Sequence, residues 1–258
     1  MRQNQIKELL ATGATAVNGW CSLPCPYAAE IIANQGYDSV TVDLQHGAMH
    51  FETALKMLQA ISTTKAMPMV RVPWNEPGLL MKLLDGGAYG VICPMVNTPR
   101  EAKCFVSACR YPPLGFRSYG PGRAVFYAKA RSGADYARNA NDQILLLAQI
   151  ETQEALSNVD EILATPGLDG LYIGPGDLSL ALGAPPSMNP SCEVVTKATA
   201  LILQKTVDKA RICAVHTDGP LTAIKRFRQG FQLCSLQSDV RLLSDGARNQ
   251  VDAVRKSV

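Results

Sequence analysis

The sequence predicts an α/β chain folded as a single (β/α)8 TIM-type barrel, and three observations carry that expectation. Eight short apolar segments alternate with helical patterns from one end to the other. Some are apolar almost throughout, as in Leu145-Leu146-Leu147-Ala148-Gln149-Ile150, which suits a parallel strand covered on both faces. The 258 residues also match what eight β–α units need. A doubly wound open sheet shares the alternation, and periodicity alone does not separate the two.

Taken in order, an amphipathic N-terminal stretch leads to a strand at 16–21 and a helix at 27–35. The run Ser39-Val40-Thr41-Val42-Asp43 is the second strand, and a helix-period pattern follows at 51–63. The third unit pairs a strand at 68–72 with a helix at 77–84 that opens on Pro77, and the fourth pairs 90–94 with a helix at 99–110 that opens on Pro99. Strands at 145–150 and 170–174 flank a helix at 152–164. The last units are a helix at 193–210, a strand at 212–216, a helix at 221–229, a strand at 232–236 and a final helix at 239–256. One segment breaks the rhythm: 111–142 is rich in Gly, Pro, Arg and Tyr, and a connection of that length holds a lid, a binding loop or extra short helices. No composition shift marks a linker, so residues 1–258 are expected to form one domain with 111–142 as an insertion.

Composition removes several function classes. With 47% hydrophobic residues and a net charge of +3 the chain is not disordered. Twenty-five Lys and Arg against 22 Asp and Glu leave no basic excess for a nucleic acid backbone. The eight cysteines are scattered without a CxxC pair, so neither a zinc site nor a disulfide scaffold is indicated. Reduced thiols, no signal-like N-terminus and no stretch of about 20 apolar residues point to a soluble cytoplasmic protein outside the membrane.

In a barrel the loops at the C-terminal ends of the strands carry the site. Here the second strand runs into Asp43-Leu44-Gln45-His46-Gly47, the third ends in Arg71-Val72-Pro73, the fifth in Gln149-Ile150-Glu151, and the sixth in Gly174-Pro175-Gly176-Asp177-Leu178-Ser179. Taken singly, Glu151 and Asp177 each suit the first turn of a following helix. At adjacent strand ends they repel unless they share a proton or a cation, and with few His and no clustered Cys the cation is a hard one, Mg2+ or Mn2+. The glycine turn at Gly174–Gly176 leaves backbone N–H groups for a carboxylate or phosphate, although Ser179 stands where a dinucleotide fingerprint needs its third glycine. His46 is a candidate general base, and Arg71 a candidate oxyanion or carboxylate clamp or else a rim salt bridge. Asp85, at a helix C-terminus where the dipole disfavours it, calls for a cationic or imidazole partner. His50 is expected in solvent, and His216 closes the seventh strand without an assigned role.

These ordered motifs resemble the HpcH/HpaI aldolase family. The likeness also includes Leu83-Leu84-Asp85-Gly86-Gly87-Ala88, Pro94-Met95-Val96 and Arg110-Tyr111-Pro112-Pro113-Leu114-Gly115-Phe116-Arg117, and it runs from about residue 15 to 183. The resemblance implies a class II pyruvate aldolase on a barrel of the phosphoenolpyruvate/pyruvate-binding kind. Glu151 and Asp177 would bind the divalent ion, Mg2+ or Mn2+ with Co2+ as a further candidate. Arg71 would stabilise the enolate oxygen, Gln149 would hydrogen-bond in the site, and the backbone at Gly176 and Asp177 would seat the pyruvate carboxylate. His46, polarised by Asp85, would act as base through metal-bound water. A hexamer built as a trimer of dimers, with the terminal helix on a neighbour, is also implied. Gln45 occupies a position often held by Glu, and Gly176 one often held by Ala. A citryl- or malyl-CoA lyase relative and a non-catalytic 2-oxo acid binding module are the alternatives. The His46/Asp85 pair and the missing basic nucleotide-binding tract weigh against the first, and the intact Glu151, Asp177, Arg71 and His46 against the second.

Overall fold

The strands curl into a closed, all-parallel barrel in the order β1 to β8, with β8 returning to pair with β1. The computed structural model describes residues 1–256. Helix α1 (Gln5–Ala11) precedes β1 (Ala16–Cys21) and α2 (Pro26–Ala33); then come β2 (Ser39–Asp43), α3 (Phe51–Ile61), β3 (Met67–Arg71), α4 (Pro77–Asp85), β4 (Gly90–Cys93) and α5 (Pro99–Cys109). The insertion holds α6 (Gly122–Tyr127) and α7 (Gly133–Gln143). The chain continues with β5 (Leu145–Ile150), α8 (Gln153–Ser157), α9 (Val159–Leu163), β6 (Gly170–Ile173), α10 (Pro175–Ala181), α11 (Glu193–Asp208), β7 (Ile212–His216), α12 (Pro220–Gln229), β8 (Leu233–Ser238) and α13 (Asp239–Arg255). The helix expected at 152–164 is thus two short ones, because Asn158 leaves helical geometry (ψ 13°) while its amide donates to the Asn97 carbonyl at 2.9 Å.

Alternation along the strands divides the core into two layers. Val40, Val42, Val70, Leu146, Ala148, Ile150, Leu171, Ile173 and Val215 face the helices in one cluster. Met67, Met69, Ile92, Leu145, Leu147, Tyr172, Ala214 and Leu233 fill the barrel interior in a second, which α1 closes from below with Ile6 and Leu10. Midway up, the interior turns polar: Asn18 Nδ2 donates to Ser235 Oγ at 2.8 Å, while Ser39 and Thr41 donate to Asn18 Oδ1 at 2.8 and 3.1 Å. The same parity that turns Thr41, Met69, Leu147, Tyr172 and Ala214 inward turns Asp43, Arg71, Gln149, Gly174 and His216 inward one pleat later, at the C-terminal mouth. The site is therefore a consequence of strand phase.

At the opposite end Arg110 locks the insertion to the barrel. It is only 3% exposed, and its guanidinium donates to the carbonyls of Asn141, Ile144 and Gly167 and to Asp169 Oδ2 at 2.9 Å. Replacing Arg110 with Ala leaves those acceptors and the Asp169 carboxylate short of a donor. We expect a loss of about 3–5 kcal/mol in urea unfolding, the range for breaking a buried pair; a loss below about 1 kcal/mol would show that the network is not holding the insertion.

Candidate active site

The mouth is organised by Asp43. Register pairs it directly with Arg71 on the neighbouring strand, and the two side chains form a bidentate ion pair, Arg71 Nε to Oδ1 at 2.9 Å and Nη2 to Oδ2 at 2.7 Å. Trp20 Nε1 donates to the same carboxylate at 3.2 Å, and the backbone N–H groups of Gln45 and His46 donate to Oδ1 at 3.1 and 3.3 Å. One carboxylate thereby aims Arg71, anchors Trp20 and shapes the loop that presents His46. The Arg71 guanidinium lies 4.8 Å from the Trp20 ring centre, which adds a cation–π contact. Burial pushes the Asp43 carboxyl up, but the Arg71 hydrogen bonds and charge outweigh it and hold the group below its ordinary value.

Glu151 and Gln149 follow at the end of β5. Glu151 is 1% exposed; its Oε1 accepts from the Met95 N–H at 2.8 Å and its Oε2 from Gln149 Nε2. It does not cap the following helix, because Thr152 does, with its side chain accepting from the Ala155 N–H at 3.0 Å. Burial raises the Glu151 carboxyl pKa and the charge of Asp177 raises it further, against the Gln149 and Met95 hydrogen bonds and the more distant Arg71. Met95 reaches Glu151 from a left-handed backbone (φ 54°) that non-glycine residues seldom adopt. Gln149 Oε1 is buried with no hydrogen-bond partner among the described residues. Gly174 is needed here, since a Cβ would stand 2.7 Å from Glu151 Oε2 and 2.8 Å from Gln149 Nε2.

Asp177 is exposed in the first turn of α10. The N–H groups of Gly176 and Asp177 come before the first bond of that helix, Leu178 N–H to the Gly174 carbonyl at 3.0 Å. A Cβ on Gly176 would meet only the flexible end of Met188 at 3.1 Å, so Ala fits there. A cavity of about 220 Å3 brings His46, Arg71, Gln149, Gly176 and Asp177 together, with Trp20, Tyr172 and His216 beside them.

Asp85 is not part of this group. It ends α4, which runs from the mouth back to the opposite face, and its carboxylate pairs with the buried Arg117 of the insertion at 2.7 Å. The cationic partner demanded by a helix C-terminus is therefore Arg117, and within the chain Asp85 does not polarise His46. His50 is exposed just before α3. Sequence reasoning assigned no role to Trp20, Asp43, Tyr172 or His216. The available signals were an Asp ending the apolar strand Ser39–Asp43 and a His ending Ile212–His216, both at the face where barrel sites form.

A closed parallel barrel with oxygen donors, an arginine and an exposed imidazole at its C-terminal mouth belongs to the class of (β/α)8 enzymes whose sites sit on the βα loops. The model of the HpcH/HpaI aldolase/citrate lyase family matches residues 19–234, and the chain belongs to that family. It is 38% identical over 252 residues to the hydroxypyruvate/pyruvate aldolase of Rhizorhabdus wittichii, covering 98% of this chain and 99% of the relative. It is 35% identical over 245 residues to the 4-hydroxy-2-oxo-heptane-1,7-dioate aldolase of Klebsiella pneumoniae, with 95% and 91% covered. A crystal structure of a family protein from Burkholderia cenocepacia superposes with a TM-score of 0.91 at 30% identity, covering 98% of this chain and all of the other.

The sign of the Asp43 shift gives a test. A carboxyl held low in the folded state contributes stability that is complete above the unfolded value and disappears as pH falls through the folded one. The stability difference between the native chain and Asp43→Asn is therefore expected to stay constant from neutral pH to about 4, near the ordinary value of 3.8, and to shrink only below it. Urea midpoints measured across pH 2–7 check this; a difference already shrinking at pH 6 would contradict the Asp43–Arg71 assignment.

Proposed function

We propose that this chain is a divalent-metal-dependent aldolase that reversibly cleaves a 4-hydroxy-2-oxo acid to pyruvate and an aldehyde. The observation that carries the reading is Glu151, a buried carboxylate beside a second carboxylate, Asp177, with the unpartnered Gln149 Oε1 next to them. A buried acid whose ionisation is opposed by burial and by a like charge is relieved by a cation. Among the described residues no group of three or more His, Cys, Asp or Glu encloses an ion. Two carboxylates and an amide oxygen suit a hard ion that takes its other ligands from water or substrate. Glu151, Asp177 and Gln149 would hold Mg2+, Mn2+ or Co2+, and such an ion supplies Lewis acidity toward a carbonyl oxygen.

The remaining residues account for the other requirements of the reaction. Breaking the C3–C4 bond leaves an enolate, and the Arg71 guanidinium, fixed by Asp43, provides positive charge and N–H donors where that oxygen develops. The free N–H groups of Gly176 and Asp177 receive the substrate carboxylate. His46, exposed at the cavity rim, takes the proton from the 4-hydroxyl in cleavage and returns it in synthesis. No lysine lines the cavity to form a Schiff base.

We further propose an oligomer, a hexamer arranged as a trimer of dimers. Support comes from α13: within the chain only its first residue, Asp239, is buried, while Val240, Leu242, Leu243, Val251 and Val254 are exposed along it. A helix with that much uncovered apolar surface is expected to pack on another copy. The eight free cysteines fit a reducing cytoplasm. No helix among the described residues is long and apolar enough to cross a membrane.

Pyruvate C3 proton exchange in D2O, followed by NMR with and without chelator, tests enolate formation without needing the aldehyde. Exchange should require added Mg2+ or Mn2+ and vanish in Glu151→Ala and Asp177→Ala. His46→Ala should lower the aldol cleavage rate by roughly 10²–10⁴-fold, as for a lost general base. Exchange that persists in chelator would refute the metal assignment, and cleavage untouched by His46→Ala would move the base elsewhere. For the assembly, Leu243→Asp should shift the mass measured by light scattering to a smaller species; an unchanged mass would remove α13 from the interface.

A further inference from the structure

The cavity has two unlike walls. Its charged lining side chains, Arg71 and Asp177, belong to β3 and α10, with Glu151 behind them. The β7, β8 and β1 side presents His216, Ser238, Ser22 and Trp20, with no carboxylate, Lys or Arg among them. An oxo acid is drawn by its charge to the first wall, so the second receives the uncharged part of the substrate.

His216 is held in one orientation on that second wall. Its Nδ1 lies 3.0 Å from the Tyr172 hydroxyl, which is itself 2.8 Å from Ser235 Oγ. Ser235 is in turn fixed by Asn18 Nδ2 at 2.8 Å. This chain of hydrogen bonds occupies Nδ1 and leaves Nε2, as N–H donor or lone-pair acceptor, for a further partner. Nε2 has no partner among the described residues and is not buried, so it opens on the cavity. The Trp20 ring, edge-on at 4.7 Å, fixes the imidazole plane. Burial and the nearby Arg71 charge push the His216 pKa down to about 4, against the attraction of Asp43, so the ring is neutral at working pH.

We infer that His216 Nε2 hydrogen-bonds a hydroxyl on the aldehyde-derived half of the substrate, so that the preferred partners of pyruvate are short α-hydroxyaldehydes. The Ser22 and Ser238 hydroxyls beside it suit the same polyol character. A semialdehyde with a distal carboxylate finds no second cation on this wall. The inference rests on the aldolase reading and specifies its substrate class.

The test is aldol addition with pyruvate and Mg2+, comparing glycolaldehyde with its isostere propanal in the native enzyme, His216→Phe and His216→Gln. The ratio of the two kcat/KM values is taken within each protein, so any loss of folded enzyme cancels. The ratio should fall about tenfold in His216→Phe, mainly through the glycolaldehyde KM, as for one lost hydrogen bond to a buried group. In His216→Gln, whose amide can hydrogen-bond from the Nε2 position, part of it should return. An equal ratio in the native enzyme and His216→Phe, or a native preference for succinic semialdehyde over glycolaldehyde, would overturn the assignment alone when pyruvate proton exchange is present. Absence of both exchange and addition in the native enzyme would overturn the aldolase reading and this inference with it.

Discussion

Everything at the mouth of this barrel depends on the carboxylate of Asp43. It ends β2, faces Arg71 across one strand pair, and gathers five hydrogen bonds from the two neighbouring strands and the loop that follows it. A charged group that deep is costly unless paired and fully hydrogen-bonded. Here the pairing also aligns the guanidinium, so a buried carboxylate sets the direction in which Arg71 faces the cavity. Geometry of this kind places a charge in advance, so no reorganisation is required when an oxyanion forms.

The rest of the interior works in the same way, by committing donors and acceptors in series. Asn18, Ser39, Thr41, Ser235 and Tyr172 form a polar layer below the site, and the chain ends at His216. Below that layer the barrel is filled with Met67, Met69, Leu145, Leu147 and Leu233. The polar layer is where apolar packing gives way to chemistry, and its satisfied hydrogen bonds fix rotamers that a hydrophobic filling would leave free.

Much of this was legible in the sequence. The alternation of apolar runs with helical patterns identified all eight strands to within a residue or two, because buried parallel strands are apolar on both faces and leave a strong signal. The strand-end rule collected His46, Arg71, Gln149, Gly176 and Asp177, which line one cavity, and Glu151, which is buried against Gln149 at the end of β5. For Asp85 the helix-end argument called for a cationic or imidazole partner, and within the chain that partner is Arg117, at the face opposite the His46 toward which the family resemblance points. The roles of Asp43, Trp20 and Tyr172 were not legible, because they follow from register and parity between strands far apart in the chain. The packing of 111–142 was equally hidden: the bonds by which Arg110 ties its end to the barrel, and the stacking of Arg117 on Tyr111 and Tyr136, appear only in the fold.

The turn at Met95 has a consequence of a different kind. A left-handed non-glycine residue stores about 1–3 kcal/mol, and here its N–H is tied to a carboxylate that is itself buried against its preference. Both costs are borne by the fold, and the proposed site is what they would serve. Selection for heat resistance alone would therefore favour substitutions at Glu151 and Met95 that relax the turn and remove the charge, and it would drift toward sturdier barrels that have lost their chemistry. A directed-evolution campaign on this scaffold needs an activity screen at every round.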